Sequence, residues 1–202
     1  MVLDPQREAK DLQEKFREAH RKGVEDGERG KPFEVALDEM EKGSKENDWV
    51  WYVFPQHENC PGHTYINKKY ALTTREVLWF LADPNLRKNY SKVVKELKKH
   101  LESGKTLKEI VKHDVRKVIS SLTLFGMIAD ELSRLDPFQS IDTDPMIDDF
   151  KADMEDMTEL LQSVWLSLEG YEPCAYTRDA LRDDDLEDEI KTFVQTFPTP
   201  EI

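Results

Sequence analysis

Six consecutive uncharged residues, Trp49-Val50-Trp51-Tyr52-Val53-Phe54, four of them aromatic, constrain this chain more than any other stretch. Aromatic side chains carry the largest burial energies, so the run belongs inside a core. Pro55 stops it, and Gln56 is presented at its end. Six residues are too few for periodicity to separate a buried strand from a short buried helix, and intrinsic propensity leans towards strand.

Around this run the chain reads as helices. Asp-Pro pairs at Asp4-Pro5, Asp83-Pro84, Asp136-Pro137 and Asp144-Pro145 are helix starts, with Asp as N-cap and Pro at the first helical position. The first helix carries Leu12, Phe16 and Ala19 on one side. Pro32 opens a second, with Phe33, Ala36, Leu37 and Met40 at helical spacing and Gly43 suited to its end. Thr73 with Glu76, and Thr106 with Glu109, read as capping boxes. From Pro84 to Ser103, Leu86, Tyr90, Val93, Val94, Leu97 and Leu101 share one face, and Lys88, Lys92, Lys95 and Lys99 the opposite one. Asp114 is read as the cap of a helix to about Leu135, whose core stripe is Val118, Leu122, Phe125, Ala129 and Leu132. Pro145 starts another, and a loop spans 138–144. From Glu172 onward periodicity weakens and the acid run Asp183 to Glu189 begins, which suggests a peripheral or partly disordered tail. The expectation is an all-α protein, one compact orthogonal domain of about 6–9 helices. Its parts would be a helical extension over 1–31, the domain over 32–170 and an acidic extension over 171–202.

The formal charge of −13 argues against a dedicated nucleic-acid binder, although Arg87, Lys98 and the four-lysine stripe offer a local cationic face. The stretch from Pro137 to Glu169 holds nine acids against Lys151 alone, enough to neutralise that face if the two helices pack together. No apolar leader and no membrane-length apolar run occurs, so the expectation is a soluble, cytoplasmic protein. Cys60 and Cys174 form no C-x-x-C motif and are too distant in sequence to be read as a pair. His57-x-x-Cys60-x-x-His63 lacks a fourth ligand, so neither metal nor cofactor is expected. His20, His100 and His113 sit in charged helical surroundings that suggest solvated roles.

Three blocks, Gly43-Ser44-Lys45 with Trp49 to Gln56, then Tyr70-Ala71-Leu72, then Asp114, Lys117, Ser120, Ser121, Thr123, Leu124 and Phe125, resemble the family called domain of unknown function 1810, of Rv1873-like structural class. The first is similar to its G-x-K-x-x-H-W-M-W-[FY]-[IV]-F-P-Q pattern, the second to its Y-A-[IL] and the third to its D-x-x-K-x-x-S-S-x-T-L-F. Asp48 replaces the usual His, and Cys60-Pro61-Gly62-His63-Thr64 replaces the usual G-L-G-x-S loop. The resemblance implies an all-α fold, hence a helical aromatic run, and brings no established activity.

Both larger blocks mix core residues with polar ones that a core does not require. Lys45, Trp49, Trp51, Gln56, Asp114, Lys117, Ser121 and Thr123 are therefore the candidate ligand-binding residues. Two tryptophans two positions apart on a helix point about 200° apart, so one at most faces a given pocket. Lys117 and Ser121, one turn apart at the core margin, suit an anion. The expectation is a pocket for a phosphate-bearing or nucleotide-like metabolite, of ADP-ribose type, between the aromatic block and the Asp114–Phe125 helix. The alternative is a non-enzymatic interaction module that presents its acidic C-terminal region to a basic protein. No residue pattern assigns a reaction.

Overall fold

The aromatic run resolves into a single helical turn, and every other named element is helical too. The computed structural model describes residues 5–24, 30–135 and 145–196, the side chains at 66, 135 and 196 apart. In order come α1 (Pro5–Lys22), α2 (Phe33–Lys42), α3 (Val50–Val53), α4 (Tyr65–Tyr70), α5 (Thr74–Ala82), α6 (Pro84–Glu102), α7 (Leu107–Val111), a 3-10 turn (Lys112–Asp114), α8 (Val115–Leu135), α9 (Pro145–Leu166), α10 (Ala175–Asp183) and α11 (Leu186–Thr196). Among the described residues there is no strand, only two isolated bridges, Gly30 with Asp48 and His57 with Leu72.

Local chemistry starts and stops these helices. Asp83 caps α6 by accepting from the N–H groups of Asn85 (2.9 Å) and Leu86 (3.0 Å), with Pro84 at the first position. Both capping boxes form, Thr73 with Glu76 and Thr106 with Glu109. Gly43 ends α2 at φ 66, a left-handed conformation that a side chain would strain. Asp4, Asp136, Asp144 and the 138–144 loop lie outside the described residues.

α8 is the axis of the packing. It lies against α9, α10 and α3, α6 bridges α9 to α2 and α5, and α1 lies across α2, α3 and α5. A chain of rings runs through the centre: Phe16 to Phe80 (5.1 Å between centroids), Phe80 to Phe125 (5.4 Å), Phe125 stacked on Tyr90 (4.1 Å), and Tyr90 to Phe54 (5.8 Å). All five are buried. Each such side chain contributes on the order of 1.5–3 kcal/mol by leaving water.

Three sequence expectations are corrected here. Over 175–196 the stretch read as a tail is packed: α10 and α11 bury Leu181, Ile190 and Phe193 in the main core cluster. Their apolar residues are spaced for a helix, and the surrounding acids mask that spacing in sequence. His20 is not solvated; it stacks on Phe33 (5.2 Å) and bonds the Tyr52 carbonyl at 2.8 Å. Asp114 makes no capping bond to α8, because its carboxylate is engaged by two lysines.

Candidate functional site

The aromatic block is fixed by one carboxylate. Glu39, on the inner face of α2, is buried and accepts from the N–H groups of Glu46 (2.7 Å) and Asn47 (3.1 Å), from the Asn47 amide and from Trp49 Nε1 (2.7 Å). Burial acts to raise the Glu39 pKa, but these donors outweigh it and hold the carboxyl below its usual range. Trp49 is thereby locked with no exposed surface, while Trp51 is half-buried on the other side of the turn.

A second buried charge system lies beside the first. Lys45 is 3% exposed; its N–H donates to the Ile110 carbonyl (2.7 Å) and its ammonium meets Asp114 Oδ2 at 2.7 Å. Lys117 takes the other Asp114 oxygen at 2.7 Å and keeps part of its side chain in water. Burial would raise the Asp114 pKa, but the bonds from Lys117 and Lys45 prevail and lower it. One carboxylate thus carries both lysines that an anion would need.

The hydroxyls of α8 are likewise engaged within the protein. Ser121 lies 3.3 Å from Tyr90 Oη, and Thr123 donates to the Ile119 carbonyl (2.8 Å) while accepting from the Cys174 N–H (2.9 Å). Helices α6 and α10 cover the margin where Ser121 and Thr123 were expected to face a ligand. Gln56 is half-buried and uses its carbonyl to accept from the Leu72 N–H (2.9 Å); no described residue bonds its side-chain amide. Lys45, Trp49 and Asp114 therefore come together, with Lys117 beside them, whereas Ser121 and Thr123 face other helices.

The clefts lie elsewhere. None of the three described next is lined by any of these eight residues. One, of about 700 Å³, is walled by α1, α5 and the start of α11, with the side chains of Lys15, Glu58, Arg75, Trp79 and Asp184 around it. A smaller one, of about 260 Å³, lies beside α1 and Tyr70, and another of about 700 Å³ lies between the ends of α6 and α9.

Behind the first cleft a polar cluster built on the buried His57 and Thr74 holds the C-terminal helices. His57 Nδ1 accepts from the Asn59 N–H (3.2 Å), and its Nε2 lies 3.3 Å from Asp184 Oδ2. Thr74 Oγ1 donates to the same carboxylate oxygen at 2.6 Å. Arg75 makes a two-pronged bond to Glu189 (2.8 and 3.0 Å) on α11. At the rim, Lys15 has its pKa lowered, chiefly by burial and also by Lys69, against the pull of Glu76. Sequence reasoning missed this site, since its residues come from segments more than one hundred positions apart.

The family pattern described as Protein of unknown function (DUF1810) matches residues 11–145. This chain belongs to that family. The match begins within α1, which the sequence reading set apart as an extension, and stops at the first residue of α9. No curated protein matches the chain. Among solved structures, the crystal structure of the conserved hypothetical protein Rv1873 from Mycobacterium tuberculosis is similar. The identity is 16% and the TM-score 0.54, over 87% of this chain and 94% of that one. That level of identity supports a shared fold and nothing finer. Among the described residues no helix is long and apolar enough to cross a membrane, and no cluster of His, Cys, Asp and Glu suits a metal ion.

Proposed function

We propose that this DUF1810 protein binds a small polar ligand, and that the ligand sits in the cleft between α1, α5 and α11 rather than between the aromatic block and α8. The observation that carries this reading is a cavity of about 700 Å³ lined by six carboxylates against two cations, Lys15 and Arg75. Arg75 is matched by Glu189, and Glu76 is held in its capping box, but Glu8, Asp11 and Glu58 form no ion pair with a described residue. Trp79 supplies an aromatic surface on the α5 wall. An excess of carboxylates beside an indole favours a cationic ligand, such as a polyamine or an amino sugar, over a phosphate. Lys45 and Lys117, on which the phosphate-bearing class was expected, both spend their ammonium groups on Asp114, and Asp48 lies 3.9 Å from Lys45.

A thermal-shift panel tests this. At about 100 times its dissociation constant a ligand stabilises by roughly 2.7 kcal/mol, several degrees for a domain of this size. Spermidine or glucosamine is expected to shift the wild type, with Asp11→Asn/Glu58→Gln weakening the shift. A response confined to AMP or ADP-ribose, lost in Lys117→Ala, would instead restore the site expected from sequence.

A second reading has its own support in the exposed acids of α9 and α10, among them Asp148, Glu155, Asp179 and Asp183. They suit a docking face for a basic protein. Truncating the acidic region would remove the buried Ile190 and Phe193, so charge-neutral variants of those acids are the better probe. Capture of a basic peptide, lost in Asp179→Asn/Asp183→Asn but kept in the cleft variant, would favour this reading.

A further inference from the structure

The two cysteines meet where the loop after Gln56, α8 and the start of α10 converge. Cys60 is buried, 3.0 Å from Ser120 Oγ and 3.4 Å from Thr177 Oγ1, and these two hydroxyls are 3.1 Å apart. Cys174 is half-buried and immediately precedes α10, where its N–H is held by Thr123. Both thiols are free, and Thr177, 3.4 Å from Cys60, lies in the first turn of the helix that Cys174 precedes, which brings the two cysteines to the same end of α10. The Cys174 sulfur makes no strict capping bond to α10, but the Thr177 hydroxyl and N–H lie close enough to favour its ionised form.

We propose that Cys60 and Cys174 form a reversible thiol–disulfide site oxidised by hydroperoxides, with the more accessible Cys174 as the attacking thiolate and the buried Cys60 as the resolving thiol. The Cys174 sulfur attacks the terminal peroxide oxygen. An S–O bond forms and the O–O bond breaks, and the departing alkoxide or hydroxide takes up the proton that Cys174 had released to solvent. The product is a sulfenic acid at Cys174. The Cys60 sulfur then attacks the Cys174 sulfur; the S–S bond forms, the S–O bond breaks, and the leaving hydroxyl takes the Cys60 proton as water. Two thiols and one hydroperoxide give one disulfide, one alcohol or water from the peroxide, and one further water.

The two sulfurs are electrostatically unlike, as this division of labour needs. The hydrogen bond from Cys60 lowers the Cys174 pKa to about 5, against the opposing effect of burial and with help from Thr177 and Ser120. The same contact, together with burial, pushes the Cys60 thiol well up, so it keeps its proton until it resolves. Cys60 lies within the family-matched stretch and Cys174 beyond it. A bond between them would fasten α10 to the family core. The proposal does not rest on the ligand cleft.

The test uses the full wild-type chain, with iodoacetamide labelling of each cysteine read by peptide mass spectrometry. At about pH 5.5 a thiol of pKa about 5 is mostly ionised, while an ordinary thiol is about one part in a thousand thiolate. After allowing for the lower nucleophilicity of a weaker base, Cys174 is expected to react roughly 20-fold faster than a free cysteine peptide. Cys60 is expected to label only after denaturation. Hydrogen peroxide should then remove both thiols of the monomer with loss of two hydrogen atoms, and dithiothreitol should restore them. In Cys60→Ser, dimedone should trap a sulfenic acid at Cys174. Labelling of Cys174 no faster than the peptide overturns the proposal, as does survival of both thiols in peroxide or a disulfide formed only between chains. The wild-type readouts decide the matter whatever the folding of the variant.

Discussion

Two polar regions of this protein are built in opposite ways. Around Glu39, Lys45 and Asp114 the charged groups are buried and nearly every donor meets an acceptor inside the chain. Around the cleft between α1, α5 and α11 the charged groups lie at a concave surface, and Glu8, Asp11 and Glu58 form no ion pair with a described residue. A residue set that satisfies itself stabilises the fold and has little left to offer a ligand. A set left unbalanced at a concave surface costs little in water and retains its capacity to bind. The more distinctive sequence motif therefore marks the more structural of the two regions.

Mutations should separate them sharply. The largest effect is expected at Asp114. Asp114→Ala leaves the buried Lys45 ammonium with only Asp48, 3.9 Å away, at a cost of about 3–5 kcal/mol. For a domain of this size that lowers Tm by about 6–20 °C. The double variant Lys45→Met/Asp114→Leu should recover much of the loss, because removing both charges removes the desolvation problem. A loss under about 1 kcal/mol in Asp114→Ala would show that water reaches this pair.

Next comes Glu39→Ala, which strips the acceptor from Trp49 Nε1 and two backbone N–H groups. Each unsatisfied donor costs about 1–3 kcal/mol, partly relieved where water enters. A red shift of tryptophan emission on this change would report that entry.

Acid should act on the same region. Folding holds the Asp114 and Glu39 carboxyls below their usual range. As pH falls, the unfolded chain binds protons at these groups first, so their contribution is complete above the usual carboxylate range and is lost on descending through the folded values. Denaturation midpoints measured from neutral to acid pH should decline less steeply in Asp114→Asn than in wild type. Equal slopes would move the acid-sensitive groups elsewhere.

The smallest stability effect belongs to the cleft. Arg75→Ala removes a bond between partly exposed partners (side chains 46% and 22% exposed) and should cost no more than about 1 kcal/mol, less at high salt. The informative readout there is ligand response. A large stability loss from Arg75→Ala would mean that the cleft wall is structural as well, and the contrast between the regions would weaken.

Much of the fold was legible from sequence. The helix starts at Asp83, Thr73 and Thr106 and the stop at Gly43 are local chemistry, and all four form as read. The apolar stripes of α6 and α8 were legible because burial imposes helical periodicity on them. The candidate site was less so. Lys45, Asp114 and Lys117 stand out in sequence as polar residues within core blocks, but whether they pair with one another or face a ligand depends on how α2, α7 and α8 meet. His20 lies in a charged helix, yet it is buried because its side of α1 faces α2 and α3. The covering of Ser121 by Tyr90, and of Ser120 and Thr123 by α10, comes from segments with no local signal for it.

By itself the sequence determined the helical class, most helix boundaries and the burial of the aromatic run, because capping, propensity and periodicity act within a few residues. The run's helical form came from family resemblance, not from its own six residues. Tertiary structure alone decided that α10 and α11 close over α8 and α5, that Cys60 meets Thr177 at the start of α10, and that Thr74 meets Asp184 across the chain. Those contacts join segments sixty to more than one hundred residues apart. Their formation depends on shape and desolvation summed over the whole packed core, a sum to which no short stretch of sequence holds the terms.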